Sequence, residues 1–220
     1  MRSTARDGWR QDHPWAPVYA FTANRPWLIR PVARLAFHTD FGLLHERIEA
    51  IGTWQEGTAV LDVPCGGGVA LRGVRPGQGL RYVAADIAPT MLSRARHAAG
   101  DAGVSDQVET CEADVSELPF VDGEFDVCLS FTGLHCFPGP RAAVEEIARV
   151  LRPGGTLLLS WLCADGQLVQ RAALALGRRM GTAGQSASTA QVCGWLDDVG
   201  FTDVRLTPSG AFAYVTATRS

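Results

Sequence analysis

One short stretch constrains this chain most: a β-rich run over residues 58–63 leads directly into Pro64-Cys65-Gly66-Gly67-Gly68. The run is apolar on both sides of its alternation, as a strand covered by helices on both faces must be. Glycines immediately after it free the backbone to turn and to approach a ligand near the start of a following helix. The spacing predicts a central strand that ends at a cofactor-binding turn.

From residue 58 onward, short β-rich runs alternate with helical stretches, the pattern of parallel strands joined by crossover helices. Further strands are predicted over 81–85, 108–113, 125–131 and 156–162. Pro140 suits the first turn of a helix, and Ala143, Val144, Ile147, Val150 and Leu151 recur at helical spacing until Pro153-Gly154-Gly155. A last helix over 189–199 stops at Gly200. The runs 201–206 and 211–218 then flank Thr207-Pro208-Ser209-Gly210 as a hairpin, so the sheet ends antiparallel. The expected fold class is α/β, a Rossmann-like doubly wound sheet, mostly parallel, with an antiparallel C-terminal hairpin. Residues 1–54 are expected to form an N-terminal helical lid over the substrate, residues 55–220 the cofactor-binding domain, and 163–187 a second lid insertion. Both pieces sit where insertions cover a ligand beyond the carboxyl ends of the strands.

With 220 residues, 46% hydrophobic and 20% charged, the chain can pack one large domain. A formal charge of −3 with no long basic stripe argues against a nucleic-acid partner. All 20 basic residues are arginine, which removes Schiff-base chemistry and the phosphate-loop lysine. Cys65, Cys111, Cys128, Cys136, Cys163 and Cys193 lack zinc-site spacing and read as small buried apolar residues, so no metal is expected. No apolar run approaches the roughly 20 residues of a membrane span, and the start lacks a signal-peptide core, so a cytoplasmic location is expected.

Asp86 ends the second strand, 20 residues after Gly66, where a carboxylate can accept hydrogen bonds from ribose hydroxyls. A nicotinamide dinucleotide is the rival cofactor, but its fingerprint needs glycine or alanine where Leu71 stands. A phosphate loop would need Gly-Lys-Ser/Thr, which is missing. The run Val60-Leu61-Asp62-Val63-Pro64-Cys65-Gly66-Gly67-Gly68 resembles motif I of class I S-adenosylmethionine-dependent methyltransferases. Ala84-Ala85-Asp86-Ile87, Cys111-Glu112-Ala113-Asp114-Val115, Phe125-Asp126-Val127-Cys128-Leu129-Ser130 and Leu151-Arg152-Pro153-Gly154-Gly155-Thr156-Leu157 resemble later blocks in that family's order. The resemblance runs over about residues 57–218 and is nearest the small-molecule branch that includes quinone-biosynthesis methyltransferases. It implies a seven-stranded sheet, S-adenosylmethionine as donor and S-adenosylhomocysteine as product.

Position by position, the resemblance implies that Asp62, Gly66 and Gly68 border the methionine part of the cofactor and that Asp86 binds the ribose. Asp114 would bind the adenine amino group, Val115 would supply a backbone contact and Ile87 would pack on the ring. Met91 lines the adenine pocket or serves the core, and Ser130 and Phe131 end strand four beside the cofactor's amino acid portion. Pro64 stands where the family commonly has glycine. Proline fixes φ and has no N–H, so cofactor contacts at Pro64 are expected to differ.

After strand four, Ser130-Phe131-Thr132-Gly133-Leu134-His135 lacks the Asn/Asp-Pro-Pro-aromatic motif of methyltransferases that act on nucleic-acid amines or protein glutamine. The expected reaction is therefore methyl transfer to an oxygen, nitrogen or carbon of a small, apolar or aromatic metabolite. In-line displacement from a sulfonium needs positioning and water exclusion, and no metal. Where the acceptor must lose a proton, a histidine can take it. His135 is the candidate base and an acceptor contact, with a structural or cofactor-shaping role as the other reading; His13, His38 and His45 are further candidates. Tyr19 and His38 are candidate acceptor contacts in a leading segment rich in aromatics: Trp9, Trp15, Tyr19, Phe21, Trp27, Phe37 and Phe41. Such rings supply flat contact area and attract a sulfonium, or they dock the lid. The alternatives are a cofactor-binding partner or regulatory module without turnover, and a nicotinamide-dependent oxidoreductase.

Overall fold

The structure, a computed structural model, describes Thr39, residues 42–165, Ala172, Ala175, Leu176, Arg179 and residues 185–220. In chain order it contains α1 (Gly42–Ala50), β1 (Ala59–Asp62), β2 (Arg81–Asp86), α2 (Pro89–Ala102), β3 (Val108–Glu112), β4 (Phe125–Phe131), α3 (Pro140–Val150), β5 (Leu151–Leu162), α4 (Thr189–Asp198), β6 (Phe201–Ser209) and β7 (Phe212–Arg219). The strands form one seven-stranded sheet in the order β3-β2-β1-β4-β5-β7-β6. β1 to β5 pair in parallel, and β7 runs antiparallel to both β5 and β6. The chain leaves β1 toward one edge and returns through β4 toward the other. The reversal opens a crevice at the carboxyl ends of β1 and β4.

Alternate residues of the central strands feed two cores. Leu61, Val83 and Cys128 pack with Ile147, Leu157, Val192 and Leu196 on the α3/α4 face, and Val60, Tyr82 and Leu129 pack with Leu71, Leu92 and Ala95 on the α1/α2 face. This double burial is why the strands read as nearly continuous apolar runs. α2, α3 and α4 carry their own end signals. α2 and α3 start with proline in the first turn. α2 stops at Gly103, whose left-handed backbone (φ 69°) lets its N–H reach the carbonyls of Ala99 and Gly100. Ser188 and Gln191 form a reciprocal capping box at the start of α4.

Two local expectations are corrected. The glycine turn is followed by a short 3-10 turn, Val69–Gly73, where a helix was expected. A β-carbon on Gly73 would lie 1.9 Å from the carbonyl oxygen of Ile48, so the chain is pressed against the end of α1 and leaves as an extended segment. The second correction concerns the terminal hairpin, where 207–209 were expected to turn. They instead stay in the ladder with β7, and the reversal falls at Gly210 and Ala211. β6 is an edge strand, so the missing N–H of Pro208 costs no ladder bond.

Tyr19 and His38, the leading aromatics up to Phe41 and most of 163–187 lie outside the described residues. The described end of the leading segment packs into the domain: Ile48 and Ile51 are buried in the α1/α2 core. Arg47 donates to Thr216 Oγ1 (2.8 Å) and to the carbonyl of Val215 (3.2 Å), tying α1 to β7. No helix among the described residues is long and apolar enough to cross a membrane.

At the crevice, the loops after β1 and β4 touch. A β-carbon on Gly133 would lie 2.2 Å from Cδ of Pro64, so the proline ring occupies the space that glycine leaves. Gly133→Ala is therefore expected to destabilise the protein by about 1–3 kcal/mol, the usual cost of overpacking. In a Pro64→Gly background the same change should cost far less. Denaturant titration of the four proteins in the double-mutant cycle measures this coupling, and additive costs would show that the two loops are independent.

Candidate active site

The crevice is organised around Asp86, which ends β2 and is 5% exposed. Its Oδ2 accepts the N–H of Gly66 (2.9 Å) and its Oδ1 accepts the N–H of Ala88 (2.9 Å). One carboxylate thus fixes both the glycine turn after β1 and the entry to α2. Burial raises its pKa, while the N–H groups of Ala88, Gly66 and Ile87 oppose the shift by stabilising the anion.

The turn is open toward the crevice. Gly66 (φ 51°) and Gly68 (φ 77°) both have left-handed backbones, which favour glycine. A β-carbon built on Gly66 meets nothing within 4 Å, whereas one on Gly68 would press on Leu71 and Ala95. Gly66 therefore faces free space and Gly68 faces packed protein. Asp62, the last residue of β1, is 2% exposed and accepts the Tyr82 hydroxyl at 2.8 Å. Burial pushes its carboxyl up to about 7, with the Tyr82 hydrogen bond lowering it and the charge of Asp86 raising it. Tyr82 was not singled out from the sequence, because its role depends on a partner 20 residues away on the adjacent strand.

Asp114 follows β3. Its Oδ1 accepts both the N–H (2.9 Å) and the hydroxyl (2.6 Å) of Ser116, which fixes the plane of the carboxylate. Val115 is buried beside it, and Ala113 donates to the carbonyl of Asp86 (3.1 Å), so the two acidic residues share one backbone link. Met91 forms a small buried cluster with Ala88, apart from both main cores, and Ile87 lies half-buried between Asp86 and that cluster. Ser130 is fully buried near the end of β4, and its hydroxyl has no partner; Phe131 next to it is half-buried. Thr132 follows with a left-handed backbone (φ 55°), a strained conformation that its N–H bond to Ser160 Oγ (3.0 Å) helps to hold.

His135 sits in the 3-10 turn Leu134–Cys136 and packs edge-on against Phe212. Its Nδ1 accepts the N–H of Leu162 at 3.2 Å, so in the neutral ring the proton is on Nε2. Burial pushes its pKa down to about 4. A general base needs a free lone pair aimed at the proton it takes. The accepting nitrogen of His135 is aimed at the β5 backbone, which leaves the Nε2–H of the neutral ring as a donor. His45 lies on α1.

A cavity of about 890 Å³ opens at the opposite, amino-terminal edge of the sheet, among Arg47, Trp54, Thr58, Asp126, Arg152 and Thr156. Its charged groups are structural: Arg47 is bonded to β7, and Asp126 accepts from Ala59 N–H and Arg152. The crevice, in contrast, offers an open glycine, two buried carboxylates and an unpartnered hydroxyl. Those groups fit a nucleoside-bearing cofactor with a charged amino acid end.

Residues 61–159 match the family described as methyltransferase domain. An uncharacterized protein of Mycobacterium tuberculosis is 38% identical over 109 residues, which is 49% of this chain and 38% of that protein. The 27-O-demethylrifamycin SV methyltransferase of Amycolatopsis mediterranei is 33% identical over 116 residues, 53% of this chain and 43% of that enzyme. The chain thus spans less than half the length of these curated relatives. Among solved structures, the geranyl diphosphate C-methyltransferase from Streptomyces coelicolor superposes with a TM-score of 0.65 at 14% identity, covering 81% of this chain and 80% of that one. The [4+2]-cyclase SpnF superposes with a TM-score of 0.65 at 20% identity, covering 80% of this chain and 79% of that one. Residues 61–159 are thus similar to a methyltransferase domain, and the seven-stranded sheet that carries the glycine turn braced by Asp86 has the fold of these solved structures.

Proposed function

We propose that this chain transfers the methyl group of S-adenosylmethionine to a small, apolar or aromatic metabolite. The observation that carries the reading is the buried Asp86 carboxylate bound at once to Gly66 and Ala88, beside a turn whose open face admits a ligand. When bound, S-adenosylmethionine supplies a methyl carbon activated by a sulfonium leaving group. In this reading Asp86 holds the ribose hydroxyls, Asp114 and Val115 receive the adenine edge, and Ile87 and Met91 pack against the ring. Asp62, the 64–68 turn, Ser130 and Phe131 border the methionine portion. The Nε2–H of His135 is suited to orient an oxygen or another hydrogen-bond acceptor on the substrate. Rate enhancement then comes from alignment and water exclusion. The relatives named for 27-O-demethylrifamycin SV and geranyl diphosphate support a small acceptor. A second reading, cofactor binding without methyl transfer, draws on SpnF, a cyclase with the same fold.

Incubation with methyl-labelled S-adenosylmethionine and fractionated small metabolites tests the reading. Label in an organic-soluble product, lost in Asp86→Ala, is the expected result. Binding of the donor with no labelled product from any fraction would favour the second reading. Asp86→Ala should also lower stability by about 1–3 kcal/mol, because it strands the N–H groups of Gly66 and Ala88. Parallel calorimetry and denaturation separate the two effects.

The raised pKa of Asp62 adds a pH dependence. In the free protein its proton is held up to about pH 7, so its contribution to stability is greatest below the ordinary carboxylate range and is lost as pH rises through 7. A cationic amino group bound beside it favours the carboxylate, so binding releases a proton. Affinity for S-adenosylhomocysteine should therefore fall as pH drops below about 7. Calorimetry in buffers of different ionisation enthalpy should show proton release in the natural protein and less of it in Asp62→Asn.

A further inference from the structure

The turn that carries Asp114 and Val115 is short and half-exposed, and two residues of α3 hold its far end. Arg149 donates from Nη2 to the carbonyl of Leu118 (2.9 Å) and from Nη1 to the carbonyl of Phe120 (2.8 Å) and to Asp122 Oδ1 (2.8 Å). Its Nε and Nη2 also form a two-pronged pair with Glu146, each bond 2.8 Å. Glu146 in turn accepts the N–H of Leu118 at 2.8 Å, and the carbonyl of Arg149 receives the N–H of Gly123 at 2.9 Å. At the near end, Ala113 N–H is bonded to the carbonyl of Asp86. The turn is thus stretched between the Asp86 strand and α3.

An exposed ion pair is usually worth little, because flexible side chains lose entropy and water screens the charges. This pair differs in kind. The fork geometry holds the guanidinium in one plane, and three of its bonds go to the loop, two of them to main-chain carbonyls. α3 itself is anchored, since Ala143, Val144, Ile147, Ala148 and Val150 are buried against the sheet. Val115 and Leu118 seat the loop in the core, and Glu146 and Arg149 add bonds that tie its backbone at Leu118 and Phe120 to a fixed helix.

We infer that Arg149 and Glu146 act as a positioning clamp, setting the Asp114 carboxylate at the height where it recognises the exocyclic amine of the cofactor's adenine. The inference rests on the proposed methyltransferase reading. Neither residue is assigned a contact with the cofactor; they act through the loop.

The test compares S-adenosylhomocysteine with S-inosylhomocysteine, in which a carbonyl replaces the amine. Calorimetry of the full chain should show a clear preference for the adenine ligand. In Arg149→Met that preference should shrink by about tenfold, since a site built for a hydrogen bond discriminates only while its partner is placed. Affinity for the inosine ligand should change little. A merely structural role for Arg149 would weaken both ligands together, and that result, or an unchanged preference, overturns the clamp. Glu146→Gln, which keeps one carbonyl acceptor, is measured in the same way and decides the matter if Arg149→Met does not fold. Failure of the natural protein to bind either ligand would instead refute the methyltransferase reading on which the clamp depends.

Discussion

The acceptance of two backbone N–H groups by one buried carboxylate, Asp86, is the interaction on which the rest of the site depends. A glycine turn is entropically expensive and has no side chains to hold it in shape. The Gly66 bond gives this one a fixed partner, and the Ala88 bond places the first turn of α2 against the same anchor. Two neighbouring strands therefore deliver their loops to one point. The cost is a desolvated carboxylate, tolerated because its oxygens are hydrogen-bonded.

Around this node the doubly wound sheet separates stability from chemistry. The two cores lie on the faces of the sheet, and α1, 42 residues into the chain, belongs to one of them. The carboxyl edge of the sheet carries the groups that packing does not need: an open glycine, the unpartnered Ser130 hydroxyl and the strained Thr132. Replacing glycine by Pro64 in the first motif is accommodated on the same edge, because Gly133 leaves room for the ring.

Most of the fold was legible in the sequence because strands buried on both faces and helices with their own caps carry local signals. The failures lie where a distant contact decides. The 3-10 turn Val69–Gly73 is set by the carbonyl of Ile48, which no local pattern around Gly73 reveals. The extension of β6 through Pro208 follows from its edge position, a property of sheet order. For the site, Asp86 and Gly66 were visible through their spacing. The donor character of His135 comes from Leu162, 27 residues on, and the clamp from bonds between Arg149 and residues 27–31 positions away. Residue type announces that such groups can bond, and only the fold says to what.

The proposed function requires that the turn braced by Asp86 take S-adenosylmethionine and not another nucleotide. Calorimetric titration of the full chain with S-adenosylhomocysteine and, separately, with NAD tests it most directly. Saturable one-to-one binding of S-adenosylhomocysteine and no heat with NAD are the expected results. Saturable binding of NAD with no response to S-adenosylhomocysteine would contradict it.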